Sequence, residues 1–143
     1  MLRGLGRWLR AAGYDTKIVA NRMADLEILE TAIKEKRLIL TRDQSFAKLK
    51  RAEKHVTLLK ANLIKDCVQE LNQLLSLNWL YKPFSRCLVC NSELEITNDE
   101  THSKKAPQGI EVLWYCPMCK KIYWQASHTK RMQQKLIQFQ GLR

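Results

Sequence analysis

The sequence predicts an α/β fold, with a parallel sheet flanked by helices, followed by a small cysteine-rich module and a terminal helix. Segments with apolar residues at helical spacing alternate with short apolar runs over residues 1–82. Four of the five cysteines then fall within residues 87–119. With 143 residues, of which 45% are hydrophobic, the chain can bury one core of ordinary size and one small appended module.

The chain is predicted to open on a helix, a strand and a second helix. The first helix is amphipathic as far as Ala12, and Gly13 stands where a helix C-cap belongs. A short β-like run follows at residues 16–19. The second helix is expected to have Asp25 as its N-cap and to end near Lys36.

Two further strands and two helical segments complete the predicted α/β half. Residues 38–41 form a continuous apolar run, which is typical of a parallel strand that is buried on both faces. A short helical stretch at 46–51 leads to a strand at 56–59. Asn62 is expected to cap a longer helix whose apolar face carries Cys67.

The predicted sheet has only three short strands, and a helix precedes the first of them. Such a sheet leaves that helix and one sheet edge poorly covered. We therefore expect that a strand belongs upstream of Met1.

Helical periodicity stops at the Lys82-Pro83 step, which we interpret as a boundary between residues 1–82 and residues 83–143. The second part predicts the following elements: a cysteine loop, a polar loop at 98–108, a strand at 110–115, a second cysteine loop, a strand at 122–124 and a helix capped by Ser127.

Two CxxC pairs, Cys87 with Cys90 and Cys116 with Cys119, predict a metal site. Two such turns complete the tetrahedral sulfur shell that Zn²⁺ favours, and four sulfur ligands leave no open position for water. The pattern therefore indicates a structural zinc. Two disulfides are an alternative for an oxidising compartment, and a redox pair is an alternative for a CxxC that opens a helix. His102, between the pairs, is assigned to a solvated loop.

The chain is strongly basic, with 25 Lys and Arg residues against 14 Asp and Glu residues, a formal charge of +11 and a pI near 9.7. A basic surface favours a polyanionic partner such as nucleic acid, without distinguishing RNA from DNA. Added solubility is the alternative interpretation.

No apolar run is long enough to span a bilayer, so no membrane partner is expected. Because no signal-peptide pattern is present at the N-terminus, we expect a cytoplasmic location.

Two aspartates are predicted to meet at the carboxyl edge of the parallel sheet. Asp25 opens a helix and Asp43 ends the following strand, and in α/β units both positions lie at that edge. Asp15 is expected at the opposite edge. Converging carboxylates bind Mg²⁺ or Mn²⁺, which activate water and stabilise phosphodiester transition states. The alternative is that Asp25 only caps its helix and that Asp43 is a turn residue or the cap of the next helix.

Four stretches of the chain resemble the Mut-seven carboxy-terminal RNase domain family, a PIN-like family that occurs in bacteria together with a zinc ribbon. The stretches are MLRGLGRWLRAAGYDT at 1–16, LILTRD at 38–43, PFSRC at 83–87 and CPMCKKIYWQASH at 116–128.

This resemblance implies a PIN-like fold and a nuclease whose acidic residues hold a divalent metal ion for hydrolysis of RNA. Asp43 matches the aspartate of the family's TRD motif, and Asp25 matches the acidic residue that opens the preceding helix. Glu27 is a third candidate. Family members begin with a hydrophobic strand ending in an aspartate, so we expect a chain that either starts inside a longer gene product or is a shortened, inactive version.

The leading interpretation is thus a metal-dependent ribonuclease that uses Mg²⁺ or Mn²⁺, with the cysteine module as a second RNA-contacting surface. The basic residues expected to contact RNA are Arg3, Arg7, Arg10, Arg42, Lys120 and Lys121. The alternative is a non-catalytic zinc ribbon that binds RNA or a protein partner beside a degenerate PIN-like scaffold. Four aromatic residues are candidates for base stacking or for the ribbon core: Trp114, Tyr115, Tyr123 and Trp124.

Overall fold

The computed structural model of the protein describes residues 2–20 and 22–143. The helices are α1 (Leu2–Ala11), α2 (Asp25–Lys34), a 3-10 helix (Gln44–Lys48), α3 (Ile64–Leu75), α4 (Glu100–Ser103) and α5 (Ser127–Gly141). The strands are β1 (Ile39–Thr41), β2 (Val56–Leu58), β3 (Glu95–Thr97), β4 (Leu113–Tyr115) and β5 (Ile122–Trp124). None of these helices has the length and apolar character needed to cross a membrane.

The structure confirms the α/β fold class. Strands β1 and β2 pair in parallel, with Leu40 opposite Thr57, and these strands correspond to the predicted runs at 38–41 and 56–59. Thr41 is the only buried residue of the two strands and the others are half-buried, so the predicted burial of the run at 38–41 on both faces is wrong.

The predicted strand at 16–19 is wrong, because that segment is extended but does not join a sheet within the described residues. Side chains satisfy its backbone instead. The N–H of Thr16 donates to Oδ1 of Asn91 at 2.9 Å, and Nε of Arg10 donates to the C=O of Thr16 at 2.8 Å. The parallel sheet of the described chain therefore has two strands, where three were predicted.

A second sheet, in the order β3-β4-β5, is antiparallel and follows the first cysteine loop. In its register, Trp114 lies between Ile96 and Tyr123. The sequence does not predict β3, whose three residues are too few for a periodic signal, or α4, which lies in the predicted polar loop. Strand β4 begins at Leu113, three residues later than predicted, and β5 agrees with the prediction.

Three predicted helix caps are wrong. Asp25 and Ser127 are the first residues of their helices, and Asn62 lies two residues before α3, so none of them is the N-cap. Two of these side chains have tertiary partners instead. The carboxylate of Asp25 accepts a hydrogen bond from the hydroxyl of Ser45, and the amide oxygen of Asn62 accepts one from the guanidinium of Arg42.

Residues from both ends of the chain share one hydrophobic core. Fully buried members include Leu5, Leu71, Trp79, Leu136 and Phe139. The ring of Phe139 makes edge-to-face contacts with the rings of Trp8 and Trp79, with centroid distances of 5.1 and 5.2 Å. Helix α5 therefore packs on α1 and α3, across the predicted boundary at residue 82, and the division into two domains stays a prediction.

The carboxyl end of α1 is also tied to the segment after this boundary. The N–H groups of Lys82 and Phe84 donate to the C=O groups of Ala12 and Ala11, at 2.9 and 2.7 Å. These bonds satisfy carbonyls that the end of a helix leaves free. Gly13 makes the approach possible, because it has a φ of 100° and a Cβ there would lie 2.4 Å from the C=O oxygen of Lys82.

Arg10, which the sequence analysis placed in the RNA-contacting set, is buried and only 6% exposed. Besides its bond to Thr16, its guanidinium donates to the C=O groups of Leu88 and Val89, at 2.9 and 3.0 Å. Burial lowers the pKa of Arg10, but an arginine side chain stays charged in proteins. Arg10 therefore joins α1 to the first cysteine loop, and its predicted RNA contact is wrong because the guanidinium faces inward.

Asp15 lies beside the amino end of β1, as predicted, and joins two distant segments. Its carboxylate accepts two hydrogen bonds from the guanidinium of Arg37, at 2.9 and 3.1 Å, and one from the side-chain amide of Asn91, at 2.6 Å. The hydrogen bond from Arg37 is the main reason why the pKa of Asp15 lies below its usual value.

We expect Arg10→Ala to lower the free energy of unfolding by about 2–4 kcal/mol, because it removes the hydrogen bonds that a buried guanidinium makes to three backbone carbonyls. Chemical denaturation measures this change. The matched control is Arg7→Ala on the same helix, where the side chain is exposed and a change within about 0.5 kcal/mol is expected. Equal stability of the two variants would contradict the structural role of Arg10.

The Asp15 contacts predict a pH-dependent contribution to stability. A lowered pKa stabilises the fold above the ordinary carboxyl pKa of about 3.9, and this contribution disappears as the pH falls through the lowered pKa. At pH 7, Asp15→Asn should therefore reduce the free energy of unfolding by about 0.5–1 kcal/mol, as is typical of a partly exposed pair. Thermal unfolding of both proteins between pH 2 and 7 tests this, and a difference that does not change with pH would contradict it.

Candidate functional site

The four cysteines of the two CxxC pairs converge on one point. Their Sγ atoms all lie within 4.8 Å of one another, with 3.4 Å between Cys90 and Cys116 and 3.9 Å between Cys87 and Cys119. A tetrahedral zinc site with bonds of about 2.3 Å separates its sulfur atoms by about 3.8 Å. The donor set therefore fits a single metal ion, and the cysteines are positioned to bind one.

The two cysteine loops have the same backbone geometry. In each loop, the N–H of the residue after the second cysteine donates to the C=O of the first. Asn91 donates to Cys87 at 2.9 Å, and Lys120 donates to Cys116 at 2.8 Å. Asn91 and Lys120 both adopt left-handed backbone conformations, with φ values of 75° and 57°. The repeated turn presents both thiols of each pair to the same side.

The alternative of two disulfides does not fit this geometry. Sulfur separations of 3.4 and 3.9 Å exceed a disulfide bond of about 2.05 Å, and all five cysteines are free. Cys67 lies away from the cluster, in the hydrophobic core, where its thiol donates to the C=O of Ala61 at 3.5 Å. Burial raises the pKa of Cys67, which suits the predicted role of a small core residue.

Two of the four aromatic candidates have contacts inside the cysteine module. The hydroxyl of Tyr123 lies 3.0 Å from Sγ of Cys87, and burial raises the pKa of this tyrosine. The ring of Tyr115 stacks on the imidazole of His102, with centroids 4.4 Å apart. Nδ1 of His102 lies 2.7 Å from the hydroxyl of Thr97. His102 is therefore a half-buried part of the module, and its assignment to a solvated loop is wrong.

Asp25 and Asp43 are brought together by Ser45. The hydroxyl of Ser45 donates to Oδ2 of Asp25 at 2.8 Å, and its backbone N–H donates to Oδ1 of Asp43 at 2.9 Å. The second bond makes Asp43 the N-cap of the 3-10 helix, and the Ser45 N–H lowers the pKa of Asp43. The structure thus combines the two sequence interpretations, because Asp43 is a cap that also stands beside Asp25.

Ser45 is the residue of this site that the sequence analysis missed. An Asp-x-Ser pattern after a strand indicates an N-cap, and that pattern gives the backbone bond to Asp43. The hydroxyl bond to Asp25 joins residues 20 positions apart and has no local signal.

The remaining candidates of this region are exposed. Glu27 does not join the pair as a third ligand, since the four cysteines are the only set of three or more His, Cys, Asp or Glu residues in residues 2–20 and 22–143 that can hold a metal. Arg42 precedes Asp43 in the chain and donates to Asn62. The basic candidates Arg3, Arg7, Lys120 and Lys121 are exposed as well.

The fold and these residues define an α/β protein with two aspartates that share Ser45 as a hydrogen-bond donor and with a four-cysteine module positioned to bind a metal. The family model of the Mut7-C RNAse domain matches residues 1–136 of the 143. The chain therefore belongs to the Mut7-C RNase domain family, as the sequence resemblance predicted. No curated protein and no solved structure matches the chain.

We expect the purified protein to contain one zinc ion per chain, measured by elemental mass spectrometry. Cys116→Ser should lower the zinc content to near zero and destabilise the module, because the binding energy of a structural metal contributes directly to folding. Cys67→Ala is the matched control, since it removes a buried thiol outside the cluster and should keep the full zinc content. A folded, zinc-free wild-type protein would contradict this prediction.

Proposed function

We propose that this protein is a metal-dependent ribonuclease that hydrolyses RNA phosphodiester bonds, with Mg²⁺ or Mn²⁺ held by Asp25 and Asp43. The observation that carries the proposal is the position of Ser45 between the two carboxylates, at 2.8 and 2.9 Å. Membership of an RNase domain family supports RNA as the substrate.

The donor chemistry of this site fits a hard divalent cation. Mg²⁺ binds through one or two carboxylates and keeps several waters, and the exposed Asp43 and half-buried Asp25 leave room for those waters and for substrate. When bound, such an ion supplies activation of water and stabilisation of charge on the phosphate.

The chain's own residues contribute orientation and binding. Ser45 holds the two carboxylates in a fixed relation by hydrogen bonds to both. Arg42 directly precedes Asp43 and is exposed, so it is suited to contact a phosphate next to the reacting one. We also assign RNA-backbone contacts to Arg3, Arg7, Lys120 and Lys121, and we assign a structural zinc to the four cysteines.

A second candidate is a non-catalytic RNA-binding module. It is favoured by the number of possible metal ligands. Only two carboxylates meet at Asp25 and Asp43, whereas the four cysteines are the only group of three or more possible metal ligands among the described residues. In this case the protein binds RNA in a salt-dependent manner without cleaving it.

We expect the wild-type protein to cleave labelled single-stranded RNA with Mn²⁺ or Mg²⁺ and to lose this activity in EDTA. Asp43→Asn and Asp25→Asn should each reduce the rate by more than about 100-fold, since they remove proposed metal ligands. Glu30→Gln is the matched control, because it removes an exposed carboxylate from the same helix as Asp25 and should leave the rate unchanged.

The Ser45→Ala variant distinguishes the positioning of the two carboxylates by Ser45 from the binding of the metal ion by the carboxylates themselves. It removes the hydroxyl bond to Asp25 but keeps the backbone N–H that bonds Asp43, so a loss of about tenfold is expected, together with a higher metal concentration for half-maximal rate. Cleavage by Asp43→Asn at the wild-type rate would exclude the proposed site. RNA binding without any cleavage would favour the second candidate.

A further inference from the structure

The last part of the chain carries an unbalanced positive charge. Glu111 is the final acidic residue, and the 32 residues from 112 to 143 contain no Asp or Glu. The basic residues of this stretch are all exposed: Lys120, Lys121, Lys130, Arg131, Lys135 and Arg143. This stretch includes the second cysteine loop and the whole of α5.

Three of the cationic or titratable side chains of α5 share one face. His128, Arg131 and Lys135 are exposed and follow each other at intervals of three and four residues. At 1.5 Å per residue, their positions along the helix axis differ by about 4.5 and 6 Å. Nζ of Lys135 lies 6.0 Å from the ring centroid of Phe139, so this stripe borders the face that α5 buries in the core.

No acidic side chain neutralises this stripe in the described part of the chain. The ion pairs there join Lys17 to Glu35, Arg37 to both Asp15 and Glu35, and Arg86 to Glu93. All of these partners precede β4, so the charges of α5 remain available to a partner.

The carboxyl-terminal end of α5 is hydrogen-bonded to Asn72 and Trp79, which favours the use of this helix as a binding surface. The side-chain amide of Asn72 donates to the C=O groups of Phe139 and Leu142, at 2.9 and 2.6 Å. The backbone N–H of Trp79 donates to the side-chain oxygen of Gln140 at 2.7 Å. A preorganised helix loses little conformational entropy when its side chains contact a partner.

We propose that His128, Arg131 and Lys135 of α5 form an RNA-backbone-binding surface. This inference rests on the proposed function for the identity of the polyanion. The surface binds single-stranded RNA through its phosphates and therefore without strong sequence preference. Binding at this surface does not need the carboxylates of Asp25 and Asp43.

Fluorescence anisotropy with a labelled 20-nucleotide single-stranded RNA in EDTA measures this binding without cleavage. The double variant Arg131→Gln with Lys135→Gln should bind about five- to tenfold more weakly. The slope of log K against log salt should become shallower by about 1.4, because each of the two phosphates that the variant leaves unneutralised accounts for about 0.7. Gln keeps the helix propensity close to that of Arg and Lys, so α5 should remain folded.

The matched control is Lys104→Gln with Lys130→Gln. Lys130 is on the same helix but about 100° around it from Arg131, and Lys104 is an exposed lysine after α4. This control removes the same charge and should bind RNA within about twofold of the wild type. An equal reduction in affinity in both double variants would overturn the proposed surface and indicate only a general effect of net charge.

The outcomes distinguish this inference from the proposed function. Wild-type affinity in the Arg131 and Lys135 variant, or binding that does not depend on salt, overturns the surface whatever the cleavage assay shows. Asp43→Asn should bind RNA as tightly as the wild type in EDTA. Failure of the wild-type protein to cleave RNA, with the Arg131 and Lys135 effect intact, overturns the proposed ribonuclease and supports the surface.

Discussion

The buried guanidinium of Arg10 determines how the two parts of the chain are assembled. Taking a charge out of water is expensive unless hydrogen bonds compensate, and Arg10 has three carbonyl partners, in Thr16, Leu88 and Val89. Two of them lie between Cys87 and Cys90, so the first cysteine loop has to form against α1. The third belongs to the extended segment that follows α1.

The cysteine module and the hydrophobic core are consequently coupled. The carbonyls at the end of α1 accept hydrogen bonds from Lys82 and Phe84, and Gly13 allows that approach. At the far end of the module, α5 returns to the core and buries Phe139 against Trp79. The module is thus held at both of its ends by the α/β part, and a metal ion at the cysteines would stabilise an arrangement that the core also requires.

Charge is distributed unevenly between the two proposed functional regions. The carboxylates of Asp25 and Asp43 share Ser45 as a hydrogen-bond donor, which is an arrangement suited to a hydrated divalent cation. The acid-free stretch after Glu111 suits the phosphates of a nucleic acid instead. Metal-dependent hydrolysis of RNA uses both properties, since a divalent cation takes carboxylate ligands and the phosphate backbone takes cationic side chains.

The sequence by itself determined the features that depend on near neighbours in the chain. Two CxxC spacings predicted the cysteine cluster, and the apolar runs at 38–41 and 56–59 predicted the parallel strands, because spacing and periodicity are local properties. Only the tertiary structure decided the burial of Arg10, the position of Ser45 between two aspartates and the extended, unpaired conformation of residues 16–19. Each of these depends on partners far away in the chain: Arg10 and its partner Leu88, for example, are 78 positions apart. Such tertiary hydrogen bonds outweigh the local preference of the sequence for a strand or for an exposed arginine. The reason is that an unsatisfied polar group inside the protein costs more free energy than these local preferences contribute.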